Sequence, residues 1–206
     1  MKRKPSKSSS LLAAAFNAAR FFLVVLLTYL LHTCLMPEIR ILDVTPSLII
    51  AVLGVVAVCF ERIKTLWYGL IMGILLEVML PTTPLLNLLL YPIIAALCML
   101  IFSDKSMQQL EYERGLGKPG RNRPAWLRTP LCAAFGTAVY EIVNIAYVYL
   151  RGTNIEFSHI LRGLINVVLT AALALVLMVP LRRFFGIRVA RNPNRDLKPA
   201  PYRRNP

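Results

Sequence analysis

The sequence predicts an all-α integral membrane protein, a compact bundle of six transmembrane helices with both termini in the cytoplasm. Three observations carry that expectation. Apolar residues make up 57% of the 206-residue chain and charged ones 17%, and the mean hydropathy is +0.60, far above a water-soluble average. The apolar residues fall into six runs, 11–36, 44–60, 65–80, 85–102, 130–150 and 160–179. Each is near the roughly 20 residues that a helix needs to cross about 30 Å of hydrocarbon. The basic residues are also sorted by side: with the N-terminus inside, all of the 24 Lys and Arg except Arg40, Arg151 and Arg162 fall in cytoplasmic tails and loops. Such an excess marks the cytoplasmic side of a chain with an even number of spans.

The tail 1–10 is basic and is followed by a long apolar run, so it reads as an uncleaved first anchor rather than a secretory signal. In that run Ala14 and Ala18, and Ala15 and Ala19, form small-xxx-small pairs that permit close helix contact, or simply an alanine-rich helix start. Pro37 ends the first helix, and a short outer loop leads to Pro46 at the start of the second. The tight cytoplasmic turn Phe60-Glu61-Arg62-Ile63-Lys64 makes runs two, three and four antiparallel neighbours. The stretch 66–91 is expected to be the part around which the rest packs. Gly69, Gly73 and Glu77 recur every four residues there, so a helix presents two positions without a side chain and then a carboxylate on one stripe. Pro81-Thr82-Thr83-Pro84 turns the chain back, and the returning run carries Asn87 and Tyr91.

The cytoplasmic loop 103–128 is the largest polar break within the transmembrane domain 11–185. Its first half suits a short interfacial helix with Met107 and Leu110 on one side, and its second half, rich in Gly, Pro and Arg, suits a linker. Thr129-Pro130 is a cap and first-turn pair for run five, which puts Ala133, Thr137 and Glu141 on one stripe with Asn144 close by. Run six carries Arg162, Asn166 and Thr170 at four-residue spacing. The tail 186–206 is basic and Pro-rich and buries too little apolar surface to fold alone.

The net charge of +14 has anionic lipid headgroups as its expected partner, at about 1 kcal/mol per residue near the surface. Nucleic acid is not an expected partner, because no helix-turn-helix, zinc or RNA-binding signature accompanies the charge. Cys34, Cys59, Cys98 and Cys132 lack close spacing and read as apolar packing residues. No cofactor or metal site is expected, since His32 and His159 have no partner at ligand spacing.

Glu77 and Glu141 lie inside predicted spans, where an acid is costly and functional by default. Either they take a direct part in binding, or they hold helices in register through hydrogen bonds. Catalysis is not expected from two carboxylates without a nucleophile motif or cofactor loop. At 1.5 Å of rise per residue, His32, Glu77, Asn87 and Arg162 fall within roughly 7 Å of the outer boundary, and Asn144, Asn166 and Glu141 at roughly 9 to 14 Å. All seven lie in the outer half. This predicts a polar cavity opening outward, with Glu77 and Arg162 as a candidate ion pair and Glu141 near Asn166 below it. The alternative is a set of separate interhelical hydrogen bonds.

Asp43-Val44-Thr45-Pro46, then Trp67-Tyr68-Gly69 followed by Gly73 and Glu77, then Pro84-Leu85-Leu86-Asn87-Leu88-Leu89-Leu90-Tyr91 resemble the MreD family of rod shape-determining membrane proteins over roughly 43–102. Glu77 stands where the family often has Asp, and a glycine usual near Pro84 is missing. The resemblance implies a multi-pass protein of the bacterial inner membrane that is not an enzyme. Its partners would be an MreC-like protein, the actin-like MreB, a SEDS glycosyltransferase and a penicillin-binding transpeptidase, which together lay down lateral peptidoglycan. The family fold is considered similar to the S components of energy-coupling-factor transporters, and that supplies a second reading. An S component would use the alanine pairs to contact its membrane partner and hold a small ligand between helices. On either reading the outer cavity would receive a partner segment, a lipid-linked molecule or a small ligand.

Overall fold

The computed structural model describes residues 7–60, 62–79, 85–104, 107–116, 124–152 and 156–185. Residues 1–6, the whole basic tail 186–206, the turn 81–84 and the linker 117–123 lie outside the described residues. Among the described residues the regular elements are helices: α1 (Lys7–Cys34), α2 (Leu48–Cys59), α3 (Arg62–Met79), α4 (Leu86–Phe102), α5 (Met107–Gly115), α6 (Ala125–Leu150) and α7 (Phe157–Phe184), with a 3-10 turn at Met36–Glu38. All six apolar runs are thus helical, and α5 occupies the first half of the polar loop. Three stretches, Ala15–Glu38, Ala125–Leu150 and Phe157–Phe184, are long and apolar enough to cross a membrane, while Leu48–Cys59 and Leu86–Phe102 are apolar but shorter.

The element at the centre is α2, not the 66–91 hairpin. Every residue from Leu48 to Val58 is buried, and α1, α3, α4, α6 and α7 all pack on it. The reason is compositional. A helix that is apolar on all sides can be buried on all sides, whereas α3 leaves Ile63, Trp67, Ile74 and Val78 on the surface. The hydroxyl of Tyr68 on α3 donates to the Ile49 carbonyl of α2 at 3.1 Å, which gives that buried phenol its partner.

The hairpin is nonetheless the most extensive pairing in the chain. Its glycines face the returning helix: a Cβ on Gly69 would sit 2.5 Å from the Ala95 Cβ and 2.9 Å from the Tyr91 carbonyl oxygen. A Cβ on Gly73 would sit 2.9 Å from the Asn87 carbonyl oxygen. Backbone therefore lies against backbone, as small residues allow in apolar surroundings.

Run five begins earlier than Thr129-Pro130 suggests. Pro124 holds the cap position in an extended conformation and its carbonyl accepts from the N–H groups of Leu127 and Arg128 at 3.1 and 3.2 Å, so Thr129 and Pro130 lie inside the helix. Arg128, 8% exposed, donates to the Phe102 carbonyl at 3.0 Å and to Asp104 at 2.5 Å. Its positive charge complements the C-terminal end of α4. Outward faces are strongly apolar, with Phe22, Leu26 and Leu30 on α1 and Leu164, Val168 and Val179 on α7 all exposed. Such continuous faces are costly in water and suit hydrocarbon. Ala15, Ala18 and Ala19 are exposed as well, so these small residues of α1 are not covered by the other described residues.

Candidate functional site

The segment before α2 shapes the polar end of the molecule. Ile41 and Val44 exchange two backbone hydrogen bonds of 3.0 Å across a turn made by Leu42 (φ 55°) and Asp43 (φ 60°). Both central residues are left-handed, as a two-residue turn of this kind demands. Aspartate tolerates that conformation; for leucine it costs roughly 1–2 kcal/mol. The chain then enters the bundle without helical structure, with Val44 and Pro46 buried. Irregular backbone at depth must find partners in the protein. Ser47 finds two: its N–H donates to Thr170 Oγ1 at 3.0 Å, and its Oγ caps α2 by accepting from the Ile50 N–H at 3.4 Å.

From Thr170 the hydrogen bonds continue toward α6. The Thr170 hydroxyl donates to Asn166 Oδ1 at 3.1 Å, and Asn166 Nδ2 donates to Glu141 Oε1 at 2.6 Å. Each donor in this chain polarises the next, and all of them end on one carboxylate. The expected proximity of Glu141 and Asn166 is therefore a direct hydrogen bond between α6 and α7.

Beside this relay lies a cavity of about 270 Å³ whose lining includes Asp43, Glu141, Asn144, His159, Arg162 and Asn166. A second hollow of about 610 Å³ is lined by Tyr29, His32, Thr33, Arg40 and Met79. Asp43 and Thr45 line both, so the left-handed turn stands between the two spaces.

Of the seven residues placed in the outer half, Glu141, Asn144, Arg162 and Asn166 come together in the first cavity and His32 lines the second. Glu77 and Asn87 line neither. The Glu77–Arg162 pair does not form, because Glu77 is taken up by the start of α4. Its Oε1 accepts from the Leu85 N–H at 2.5 Å, and its Oε2 from the N–H groups of Asn87 and Leu88 at 3.2 and 3.4 Å. Leu85 holds the cap position at φ 63° with no side-chain oxygen to offer. Glu77 therefore caps the helix from across the turn, one of the two roles its position allowed.

Asp43, Thr45 and His159 were not foreseen as cavity residues. Asp43 and Thr45 sit in a loop whose inward path depends on the left-handed turn, and periodicity carries no signal for that. His159 lies in the first turn of α7, where its Nδ1 accepts from the Glu156 N–H at 3.3 Å. In the neutral ring the proton then belongs to Nε2, a donor. The cavity thus offers carboxylate acceptors together with guanidinium and imidazole donors. Compared with known proteins, the chain matches no family profile, no curated protein and no solved structure.

Proposed function

We propose that this protein is a non-enzymatic, multi-pass component of bacterial cell-wall elongation in the inner membrane, of the MreD type. The observation that carries the reading is the α3–α4 hairpin. Gly69, Gly73 and Glu77, which carry the resemblance, all act in it, the glycines as the contact line and Glu77 as the cap. In this reading six helices cross the bilayer and both ends are cytoplasmic, in line with the sorting of Lys and Arg. The short α2 fits a crossing when its lead-in is counted. Twelve helical residues rise about 18 Å, and the four extended residues 44–47 add about 13 Å at ~3.3 Å each. The sum is close to the ~30 Å hydrocarbon core.

The lipid-facing surface of α1, with its small residues, is then available to a partner helix such as that of an MreC-like protein, and the complex would include the glycosyltransferase and transpeptidase of elongation. Depletion in a rod-shaped host tests this: cells are expected to become round. The polar cavity favours a second reading, an S component of an energy-coupling-factor transporter. Depleted cells that keep their shape but lose uptake of one small nutrient would establish that reading instead.

A further inference from the structure

We propose that the cavity between α6, α7 and residues 43–45 is a binding site for a small zwitterionic group, an ammonium and an anion joined by a short link. The argument begins with Glu141. Its Oε1 is occupied by Asn166, and its Oε2 accepts no hydrogen bond among the described residues. A carboxylate has about four acceptor sites, so this one keeps room for further N–H donors, which an ammonium supplies. The relay from Ser47 through Thr170 and Asn166 fixes the carboxylate before any ligand arrives. Asp43 lines the same space, and its side chain has no partner among the described residues.

Donors face the same cavity. Arg162 has five N–H groups and makes no hydrogen bond or ion pair among the described residues, and His159 has its Nδ1 occupied, which leaves Nε2–H to donate. Acids and bases thus share one cavity without neutralising each other. A cation alone would satisfy Glu141 and Asp43 but set a like charge beside Arg162. An anion alone would do the reverse. A ligand carrying both signs satisfies each wall. The volume of about 270 Å³ corresponds to about nine waters at ~30 Å³ each, room for a molecule of amino-acid size.

Two sources present this chemistry: a free amino acid, and the ethanolamine phosphate headgroup of an aminophospholipid. Ile145 and Val148 on the apolar flank, with Leu164 exposed on α7, suit the acyl chains of the second. A choline headgroup carries no N–H and does not meet the acceptor requirement.

The test uses the full-length protein in nanodiscs of phosphatidylcholine, with thermal unfolding followed as phosphatidylethanolamine is added to the lipid, or as alanine or phosphoethanolamine is added to the buffer. A saturable rise in Tm is expected. A response to the lipid alone identifies a headgroup site, and a response to the soluble compounds identifies a free-ligand site. Glu141→Gln and Arg162→Gln should each weaken the apparent affinity roughly 10-fold or more, as loss of a charge-assisted hydrogen bond does. Arg151→Gln, which removes an equal charge outside the cavity, should leave it unchanged. Because Arg162 makes no hydrogen bond or ion pair among the described residues, its variant reads binding even if Glu141→Gln fails to fold. No saturable shift with any of the compounds, or undiminished binding by Arg162→Gln, would overturn the assignment. The measurement is made on purified protein, so its outcome is separate from that of the depletion experiment.

Discussion

Glu77 accepts three backbone N–H bonds at the start of α4, where the helix dipole places partial positive charge. Glu77→Gln keeps the shape and removes the charge, and should lower stability by about 1–2 kcal/mol, read as a fall in Tm in detergent. Glu77→Arg should be worse, and adding Arg162→Glu should not rescue it, because the two side chains do not meet. A rescue would mean that the pair forms in the membrane. At Leu42 the sign is opposite. Leu42→Gly relieves a left-handed leucine whose side chain is 75% exposed and should raise stability by about 1 kcal/mol, read as a rise in Tm in detergent. At this scale the sequence was legible in part. Glu141 and Asn166 meet as spacing and depth suggested, but the capping of α4 by Glu77 depends on a leucine at the cap position, which no propensity rule would choose.

Helix against helix, the glycine stripe sets how close α3 and α4 can lie. Gly69→Ala already places a methyl 2.5 Å from the Ala95 Cβ, and Gly69→Leu or Gly73→Leu must push the helices apart. Overpacking of this kind costs about 1–3 kcal/mol or more, and loss of folded protein after mild heating would register it. Full retention by both leucine variants would mean that the hairpin is not packed along this stripe. The existence of the six apolar helices could be read from run length alone. Their ends could not: α6 starts at Ala125, after Pro124 in an extended conformation, and the Thr129-Pro130 signal lies a turn inside. The central place of α2 followed from its being apolar on every side, a signal that the glycine stripe of α3 had overshadowed.

Within the long apolar helices α6 and α7, Glu141, Asn144, Arg162 and Asn166 gather in one cavity and the outward faces are apolar. Cysteines placed at Asn144 or Asn166, in a background without native cysteines, should react with a charged, membrane-impermeant thiol reagent added from outside. A cysteine at Leu76, 4% exposed, should stay protected. Protection at both cavity positions would mean that the space is closed to water. Depth put Glu141, Asn144, Arg162 and Asn166 together, as they are, but it also put Glu77 and Asn87 with them, which lie elsewhere. The division into two hollows was not foreseeable, because it is made by a loop turn rather than by helix faces.

The bond from Ser47 to Thr170 joins positions 123 residues apart, so this contact can form only once α7 has been made. The lead-in to α2 leaves the ribosome early, yet the hydroxyl that satisfies its backbone belongs to the last helix. Until α7 is made, the Ser47 N–H lacks this partner and one flank of the central helix stays uncovered. A chain truncated after residue 152 should therefore be degraded rather than accumulate as a partial bundle, and pulse-chase labelling of the two lengths would show it.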